Sequence, residues 1–546
     1  MAPTVSSKTP NNSIAYINGQ IYTINPYNPW AYAFIVSPDG IFTTIGTNKE
    51  ILSIAKSLSL IIVDLKNQFV MPGIHDAHMH VLYSGLALTS DTNIGFDSTS
   101  DNIAQKIKEG SCACHYTHAY EDWILANMFN NEGFPDMVAD RKYLDDMFPD
   151  TPVVVRGGAG HSLLLNTEAL KRAGYDVANE PDIQASRFVR RQDGSLTGEL
   201  SETAMNKAML AFPDPPLAHV KRALKHAIRI AHQVGVTSCQ EASANSLMLH
   251  ALRELDYEED LKIDFCTHIM YAPEYPVGEK QDSLIKLLDK ATEFKSRHVD
   301  TRFVKIILDG IPLPPLFTHC GLDGHGKPDQ TKVVVEGVAD AIAKYDQRGM
   351  TVKIHCAGQG STRMALDAIE SVRKQNPNGP RHEIAHNSGV HDDEYPRYKP
   401  LNVTAEMSPA MFFTHPVTAS SGGLMDWNFT KMLDAGAHLT IGSDWGAAPD
   451  PSLFGALAGI VETVGGGSKD KGAEILCRML TINGAEAVGK DKEVGSIEVG
   501  KKANFIVVDR NLSKGEFGGA GVVRTYFEGE LVWERGVESG QLLKNL

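Results

Sequence analysis

The chain has 546 residues, of which 42% are hydrophobic and 22% are charged, a composition typical of globular proteins. A chain of this length can bury a large core and is expected to form more than one domain. The formal net charge is -15 and no basic stripe runs along the sequence, which argues against a nucleic-acid-binding protein.

No targeting or membrane-spanning segment is indicated. Residues 1–12 are polar and lack an apolar signal core, and no apolar run is long enough to cross a bilayer. The seven cysteines are scattered. The one close pair, Cys112 and Cys114, does not have the usual spacing of a zinc or redox motif. We therefore expect reduced thiols in a cytoplasmic protein without membrane contact.

Short β-strands are predicted near both ends of the chain. The segment around Asn18-Gly19 carries a hairpin signal, and strand pairs are also predicted around Pro38-Asp39-Gly40 and Glu528-Gly529. Neither end has enough strands to bury a sheet face alone. We therefore predict one small β-sandwich domain that is built from residues 13–68 and 491–546.

Between the two ends, residues 69–490 alternate predicted strands with predicted helices, a pattern typical of a (β/α)8 TIM-type barrel in the α/β class. Most strands are separated by a helix, such as those predicted over 217–234 and 283–297. One surplus strand, 152–157, falls in an insertion of about 90–216. The eight strand candidates are the segment before His78, 236–240, 263–270, 303–309, 351–356, 382–386, 402–407 and 438–444.

His78 and His80 follow an apolar strand and Pro72-Gly73. Alternate side chains of an extended segment point the same way, so both imidazoles can reach one metal ion. A single His-x-His is more often part of an ordinary polar loop. Later segments of the chain favour the metal-site interpretation over the polar loop.

Four further polar residues lie on or near the ends of predicted strands: Lys305, His355, His386 and Asp444. Barrel enzymes carry their active sites at the C-terminal ends of the strands. Lys305 could instead extend its amine from a strand edge into water, and each of the others could be an ordinary core or loop residue. Their joint placement with His78 and His80 is hard to attribute to chance, and it predicts a metal site.

This arrangement resembles the amidohydrolase superfamily of metal-dependent hydrolases, and in particular its amidohydrolase-3, or YtcJ-like, branch, which includes N-substituted formamide deformylases. The similarity covers nearly the whole chain. One departure is Gln359, where the branch often has aspartate, and it bears on local substrate contacts. The matching motifs are residues 71–80, Gly160-His161-Ser162, Thr197-Gly198-Glu199, Lys305 with Asp309-Gly310, Gly442-Ser443-Asp444-Trp445 and residues 495–501.

The resemblance implies two divalent ions per chain, with zinc as the expected metal because imidazole and carboxylate suit it. His78, His80 and Asp444 would bind the first ion, and His355 and His386 the second. Lys305 would carry a carbamate derived from carbon dioxide that bridges both. Bound water then ionises near a pKa of about 7 in favourable zinc sites, and Asp444 would act as the catalytic residue that moves its proton to the leaving amine.

The substrate is expected to be a small hydrophobic amide or N-substituted formamide, because no convincing arginine clamp for a carboxylate is present. A metal-dependent decarboxylase, a deaminase and a catalytically inactive interaction protein on the same fold stay open, as does a homodimer. A small-molecule substrate is the expected partner, with no nucleic acid and no membrane. The predicted substrate-binding residues are His161, Phe317, His319, Phe412 and Trp445.

Overall fold

The computed structural model describes residues 12–537 except 96, 114–118, 158–159, 409–420, 422–423, 426 and 449, and it does not describe the side chains of 111–113. Within this part of the chain, a parallel barrel lies beside several smaller β-sheets. No helix among these residues is long and apolar enough to cross a membrane.

The barrel sheet contains eight parallel strands whose spatial order follows the chain. It closes where the Asp444 amide donates to the His78 carbonyl at 2.8 Å and the His80 amide donates to the Trp445 carbonyl at 2.9 Å. The predicted (β/α)8 barrel is therefore confirmed. Its strands are Ile74–Met79, Val236–Ala244, Asp264–Ala272, Val299–Ile307, Thr351–Cys356, His382–His386, Val403–Met407 and His438–Ile441.

The helices cover the outside of the barrel and the smaller sheets. The helix predicted over 283–297 is wrong at its end: the observed helix stops at Asp289, and a short 3-10 turn follows. The next strand begins at Val299, earlier than predicted. The Thr301 hydroxyl of this strand donates to the Ala291 carbonyl at 2.6 Å. The longer helices are Asn48–Leu58, Val81–Ser90, Ile103–Ala113, Leu217–Gln233, Ser246–Tyr257, Gln281–Asp289, Val338–Gln347, Gln359–Gln375, Phe454–Val464 and Lys469–Met479; shorter ones are Lys142–Asp145, Thr167–Arg172, Asn206–Ala211, Phe429–Asp434 and Ile482–Ala487.

A β-sandwich made from both chain ends lies against the barrel, as predicted for the fold. One sheet contains four strands from the N-terminal end, and the other contains six strands from both ends. Tyr16, Phe505 and Tyr526 pack between the sheets, and the Phe505 and Tyr526 rings stack at 4.2 Å. The domain boundaries stay predictions. The first sheet contains Ile14–Ile17, Ala33–Val36, Phe42–Gly46 and Ile61–Asp64; the second contains Gln20–Tyr22, Trp30–Ala31, Phe69–Pro72, Phe505–Val508, Val522–Phe527 and Glu530–Glu534.

The hairpin predicted at Asn18-Gly19 is wrong, because the two flanking strands belong to different sheets. Ile14–Ile17 pairs with Ala33–Val36 and Ile61–Asp64, whereas Gln20–Tyr22 pairs with Trp30–Ala31 and Phe69–Pro72. Asn18 adopts a left-handed conformation with φ 56°. The turn therefore carries the chain across the sandwich instead of reversing it within one sheet.

The segment between the first and second barrel strands forms a six-stranded sheet of its own. The surplus strand predicted at 152–157 is one of its members. An apolar cluster that includes Leu163, Leu170 and Leu200 packs on one side of this sheet. The strands are Thr92–Asn93, Ile124–Phe129, Val153–Gly157, Ser162–Leu165, Ser186–Arg190 and Leu196–Glu202.

Candidate metal centre

A cavity opens at the C-terminal end of the barrel, and all six predicted metal ligands line it. They come from five different strands or the residues directly after them, so only the closed barrel brings them together. The converging side chains are His78, His80, Lys305, His355, His386 and Asp444.

His78, His80 and Asp444 form the tightest part of this group. The Asp444 Oδ1 atom lies 3.3 Å from His80 Nε2 and 3.7 Å from His78 Nε2. One ligand atom from each of the three residues falls within 4.8 Å of the others. Asp444 has φ 52°, a conformation that is unusual for a residue with a side chain. Such strain is concentrated at functional sites.

His386 and His355 form a second pair of imidazoles that line the cavity. Their ring centroids are 4.4 Å apart, and His386 Nδ1 is 3.8 Å from Asp444 Oδ2. The His386 Nε2 atom is buried and has no hydrogen-bond partner among the described residues. A buried polar atom without a partner costs about 1–3 kcal/mol, and a bound cation removes that cost.

Lys305 brings an amine into this group of imidazoles. Its Nζ atom lies 3.4 Å from His78 Nε2, and the side chain is 1% exposed. Burial lowers the pKa of Lys305 to about 8, and the neighbouring ammonium of Lys353 acts in the same direction. Lys353 stands opposite Lys305 in the strand register and donates to the Ala77 carbonyl at 2.5 Å. Both effects favour the neutral form of the Lys305 amine.

Glu406 supports two of the predicted ligands and was not predicted from the sequence. Its Oε2 atom lies 2.8 Å from His78 Nδ1 and accepts from the His386 amide at 3.2 Å. Burial raises the pKa of Glu406 to about 7. A carboxylate on the far nitrogen of a ligating imidazole fixes its tautomer and raises its basicity.

Other polar contacts hold the ligand-bearing segments in place. Asp76 Oδ1 accepts from the amides of His78 and Ser443, each at 3.0 Å, and so joins the first barrel strand to the segment before Asp444. Ser243 Oγ lies 2.8 Å from His80 Nδ1 and donates to Glu241 Oε1 at 3.1 Å. Neither Asp76 nor Ser243 could be identified as a supporting residue from sequence spacing.

His161 enters the cavity from the inserted sheet, as part of a buried cluster around Glu202. His161 Nδ1 is 2.9 Å from Glu202 Oε2, and Tyr275 donates to that same oxygen at 2.7 Å. The Thr318 hydroxyl donates to Glu202 Oε1 at 2.6 Å. Although burial alone favours the neutral ring, the Glu202 carboxylate raises the pKa of His161. A hydrogen-bond donor is thus directed at the cavity.

The other predicted substrate-binding residues are placed differently. Among the described residues, the cavity lining does not include Phe317, His319 or Trp445. Phe317 is 40% exposed, and Trp445 is packed in the barrel core. Phe412 lies outside the described residues. Gln359 is exposed at the start of the helix Gln359–Gln375. Substrate contacts by these residues stay predictions.

The donor set fits a divalent metal. Four imidazoles and one carboxylate are ligand types that zinc prefers. The His386 Nε2 atom, which has no hydrogen-bond partner in the described part of the chain, can serve as one of the ligand atoms. Partners that orient such ligands are also present, since Glu406 contacts His78 Nδ1 and Ser243 contacts His80 Nδ1.

Comparison with known proteins identifies the family of the chain. The Amidohydrolase family model matches residues 62–533. The N-substituted formamide deformylase of Arthrobacter pascens is 25% identical over 96% of this chain and 99% of its own length. The protein LONG AFTER FAR-RED 3 of Arabidopsis thaliana is 24% identical over 97% of this chain and 94% of its own. A metal-dependent hydrolase from Pyrococcus horikoshii superimposes with a TM-score of 0.69 at 21% identity, over 93% of this chain and 99% of that one.

The barrel with histidine, lysine and aspartate at its strand ends defines a metal-dependent hydrolase fold. The chain belongs to the amidohydrolase family, which confirms the resemblance seen in the sequence. It is an enzyme of the class that hydrolyses carbon–nitrogen bonds other than peptide bonds.

Proposed function

We propose that this enzyme hydrolyses the C–N bond of a small hydrophobic amide or N-substituted formamide at a two-metal centre. Water adds across the bond, so that a carboxylic acid, or formate from a formamide, and an amine leave. The observation that carries this proposal is the convergence of the buried Lys305 amine with four histidines and Asp444 on one cavity.

His78, His80 and Asp444 would hold one ion, and His355 and His386 the second, with Lys305 as the bridging ligand. When bound, the ions supply a water that ionises near neutral pH and a Lewis acid for the substrate carbonyl. Zinc is the metal that this donor set favours.

Lys305 is suited to carry a carbamate. Carbon dioxide reacts with a neutral amine, and the lowered pKa of about 8 makes that form accessible. A protonated amine at this position would face both Lys353 and the proposed dications, which repel it strongly at short range. The carbamate replaces a positive charge with a negative one and provides two oxygen ligands.

Asp444 would move the proton during hydrolysis. Its carboxylate is 5% exposed and borders the cavity that the substrate must enter. From there it can accept the proton of the attacking water and return it to the nitrogen of the leaving amine. His161, fixed by Glu202, would donate a hydrogen bond to a substrate oxygen.

The cavity wall supports an uncharged substrate. Apart from the ligand cluster and His161, the described part of the wall is largely apolar, and it contains no arginine. The apolar residues that line it include Ile307, Ile311, Leu313, Met425 and Trp427.

A substrate screen with the zinc-loaded enzyme tests the proposal. The panel contains N-alkylformamides, N-benzylformamide, simple amides, N-acyl amino acids, adenosine and aryl carboxylates, with amine, ammonia and carbon dioxide release measured separately. We expect amine release from formamides or neutral amides and little turnover of N-acyl amino acids. Ammonia from adenosine alone would instead identify a deaminase, and carbon dioxide from aryl carboxylates a decarboxylase.

A further inference from the structure

A second cavity adjoins the metal cavity, and three residues line both: Tyr83, Ser243 and Pro276. Tyr83 lies on the helix Val81–Ser90, Ser243 at the end of the second barrel strand, and Pro276 just after the third. Residues that line both spaces must stand between them. These three therefore mark the boundary at which the metal cavity adjoins the second one.

This boundary lies next to a predicted metal ligand. Ser243 Oγ is 2.8 Å from His80 Nδ1, and a Cβ atom built at Gly446 would come within 2.9 Å of His80 Cβ and 3.2 Å of Tyr83 Cδ1. Glycine at 446 thus leaves room where any larger residue would crowd the His80 side of the site.

The wall of the second cavity is mostly apolar. It is formed by the helix after the first barrel strand, by the inserted segment and by the loop that contains Val277. An apolar group that leaves water for such a wall gains about 25 cal/mol for each Å² that it buries. The apolar side chains include Leu86, Leu125, Met209, Phe212, Leu247 and Val277.

The charged residues of this wall do not offer a clamp for an ionic substrate group. The Arg156 Nη1 atom lies 3.2 Å from Asp91 Oδ2, and the guanidinium stacks 4.5 Å from the Tyr83 ring centroid. Its charge is therefore balanced within the protein. Burial raises the pKa of the other charged residue, Asp214, and Glu279 adds to that effect.

We propose that the second cavity is a subsite for a neutral apolar group of the substrate, an alkyl chain or an aromatic ring. This group passes between Tyr83, Ser243 and Pro276 while the scissile bond stays at the metal ligands. The inference rests on the proposed function and makes it more specific. It predicts that the enzyme prefers long apolar substrates over short ones.

The test compares kcat/KM along two homologous series, N-alkylformamides with chains from methyl to octyl and N-methylalkanamides with growing acyl chains. We expect kcat/KM to rise about fourfold per methylene in one series, since a buried methylene contributes about 0.8 kcal/mol. The series that rises identifies whether the amine or the acyl side enters the subsite. A flat dependence in both series would overturn the proposal.

Two variants that fill the second cavity, Leu86→Trp and Leu247→Trp, locate the effect. Each should remove the dependence on chain length and lower kcat/KM for the longest substrate at least about tenfold, while the methyl substrate changes little. Leu88→Trp is the matched control, because Leu88 lies on the same helix as Leu86 and is 54% exposed. A slope that persists in both filled variants, or a preference for chains ending in a charge, would refute the subsite.

Failure of the subsite can be distinguished from failure of the proposed function. If short amides are hydrolysed without any gain from chain length, only the subsite is wrong. If no amide is hydrolysed, the proposed function fails, and calorimetric binding of the same N-alkylformamides to the metal-loaded protein still measures the subsite. Affinity that does not depend on chain length would then contradict it.

Discussion

Two clusters of metal-ligand side chains lie at opposite ends of the barrel, and they differ in what occupies their centre. At the C-terminal end, His78, His80 and Asp444 surround a cavity. At the other end, Asp264, His298 and Glu528 bring one ligand atom each within 4.8 Å of the others.

The second cluster already contains a cation from the chain. Lys502 Nζ lies 2.9 Å from Asp264 Oδ1 and 3.1 Å from Glu528 Oε1, and His298 Nδ1 lies 2.6 Å from Asp256 Oδ1. These contacts join the barrel to the sandwich. Residue types alone therefore do not identify a metal centre. The distinguishing features are ligand atoms that have no hydrogen-bond partner among the residues the structure describes, such as His386 Nε2, and a cavity through which a substrate can reach them.

The largest effect is expected from removing the bridging ligand. Lys305→Ala should lower kcat/KM at least about 100-fold and reduce the metal content below two ions per chain, because loss of a residue that only orients a metal ligand already costs about 10–100-fold. The measurements are kinetics, elemental analysis and circular dichroism. Added acetate should restore part of the activity by supplying a carboxylate. Full activity with an unchanged metal content would show that Lys305 is not a ligand.

Glu406→Gln should have the next largest effect. The amide cannot provide the carboxylate that His78 Nδ1 contacts, so metal affinity is expected to fall about 10–100-fold, measured by competition with a chelator. Glu486→Gln is the matched control, since Glu486 Oε2 lies 3.2 Å from His438 Nε2 away from the cavity. An equal loss of affinity in both variants would remove Glu406 from the metal centre.

Changes in the opposite cluster should affect stability but not catalysis. Lys502→Met leaves Asp264 and Glu528 without their ammonium partner, and we expect the free energy of unfolding to fall by about 2 kcal/mol. Urea denaturation measures this, with Lys492→Met as the control because that lysine is 92% exposed. A loss of bound metal in Lys502→Met would contradict the structural role of the cluster.

The smallest expected effect is a pH dependence of stability. Burial alone lowers the pKa of His298, but the Asp256 and Glu528 carboxylates raise this pKa to about 8. The unfolded value is lower, so this stabilisation is complete below about pH 6.5 and is lost as pH rises through 8. The stability advantage of the wild type over His298→Gln should fall by about 1 kcal/mol between pH 6 and pH 9. A stability advantage that grows with pH would show that folding lowers the pKa of His298 instead of raising it.

The barrel strands could be predicted because their apolar runs are local in sequence. Thr351–Cys356 and His382–His386 have the predicted boundaries, and the ligands at their ends follow from the rule that barrel chemistry lies there. The partners of those ligands could not be predicted. Glu406 contacts a histidine 328 positions away, and such a separation has no pattern in the sequence.

The inserted sheet was largely missed for a related reason. The strand Leu196–Glu202 is buried throughout, yet it contains threonine, serine and two glutamates, a composition typical of a polar loop. Its acidic residues are tolerated because distant groups satisfy them. Glu199 accepts from Asn131 at 2.9 Å, and Glu202 contacts His161 and Tyr275. Burial of such residues depends on the folded chain.

Anomalous diffraction at the zinc edge, from crystals grown with zinc and bicarbonate, tests whether this site holds two metal ions bridged by a modified Lys305. Two peaks should lie among His78, His80, His355, His386 and Asp444, with density for a carbamate on Lys305 between them and no peak at the cluster of Asp264, His298 and Glu528. A single peak beside an unmodified Lys305 amine, or a peak at the opposite cluster, would contradict the account.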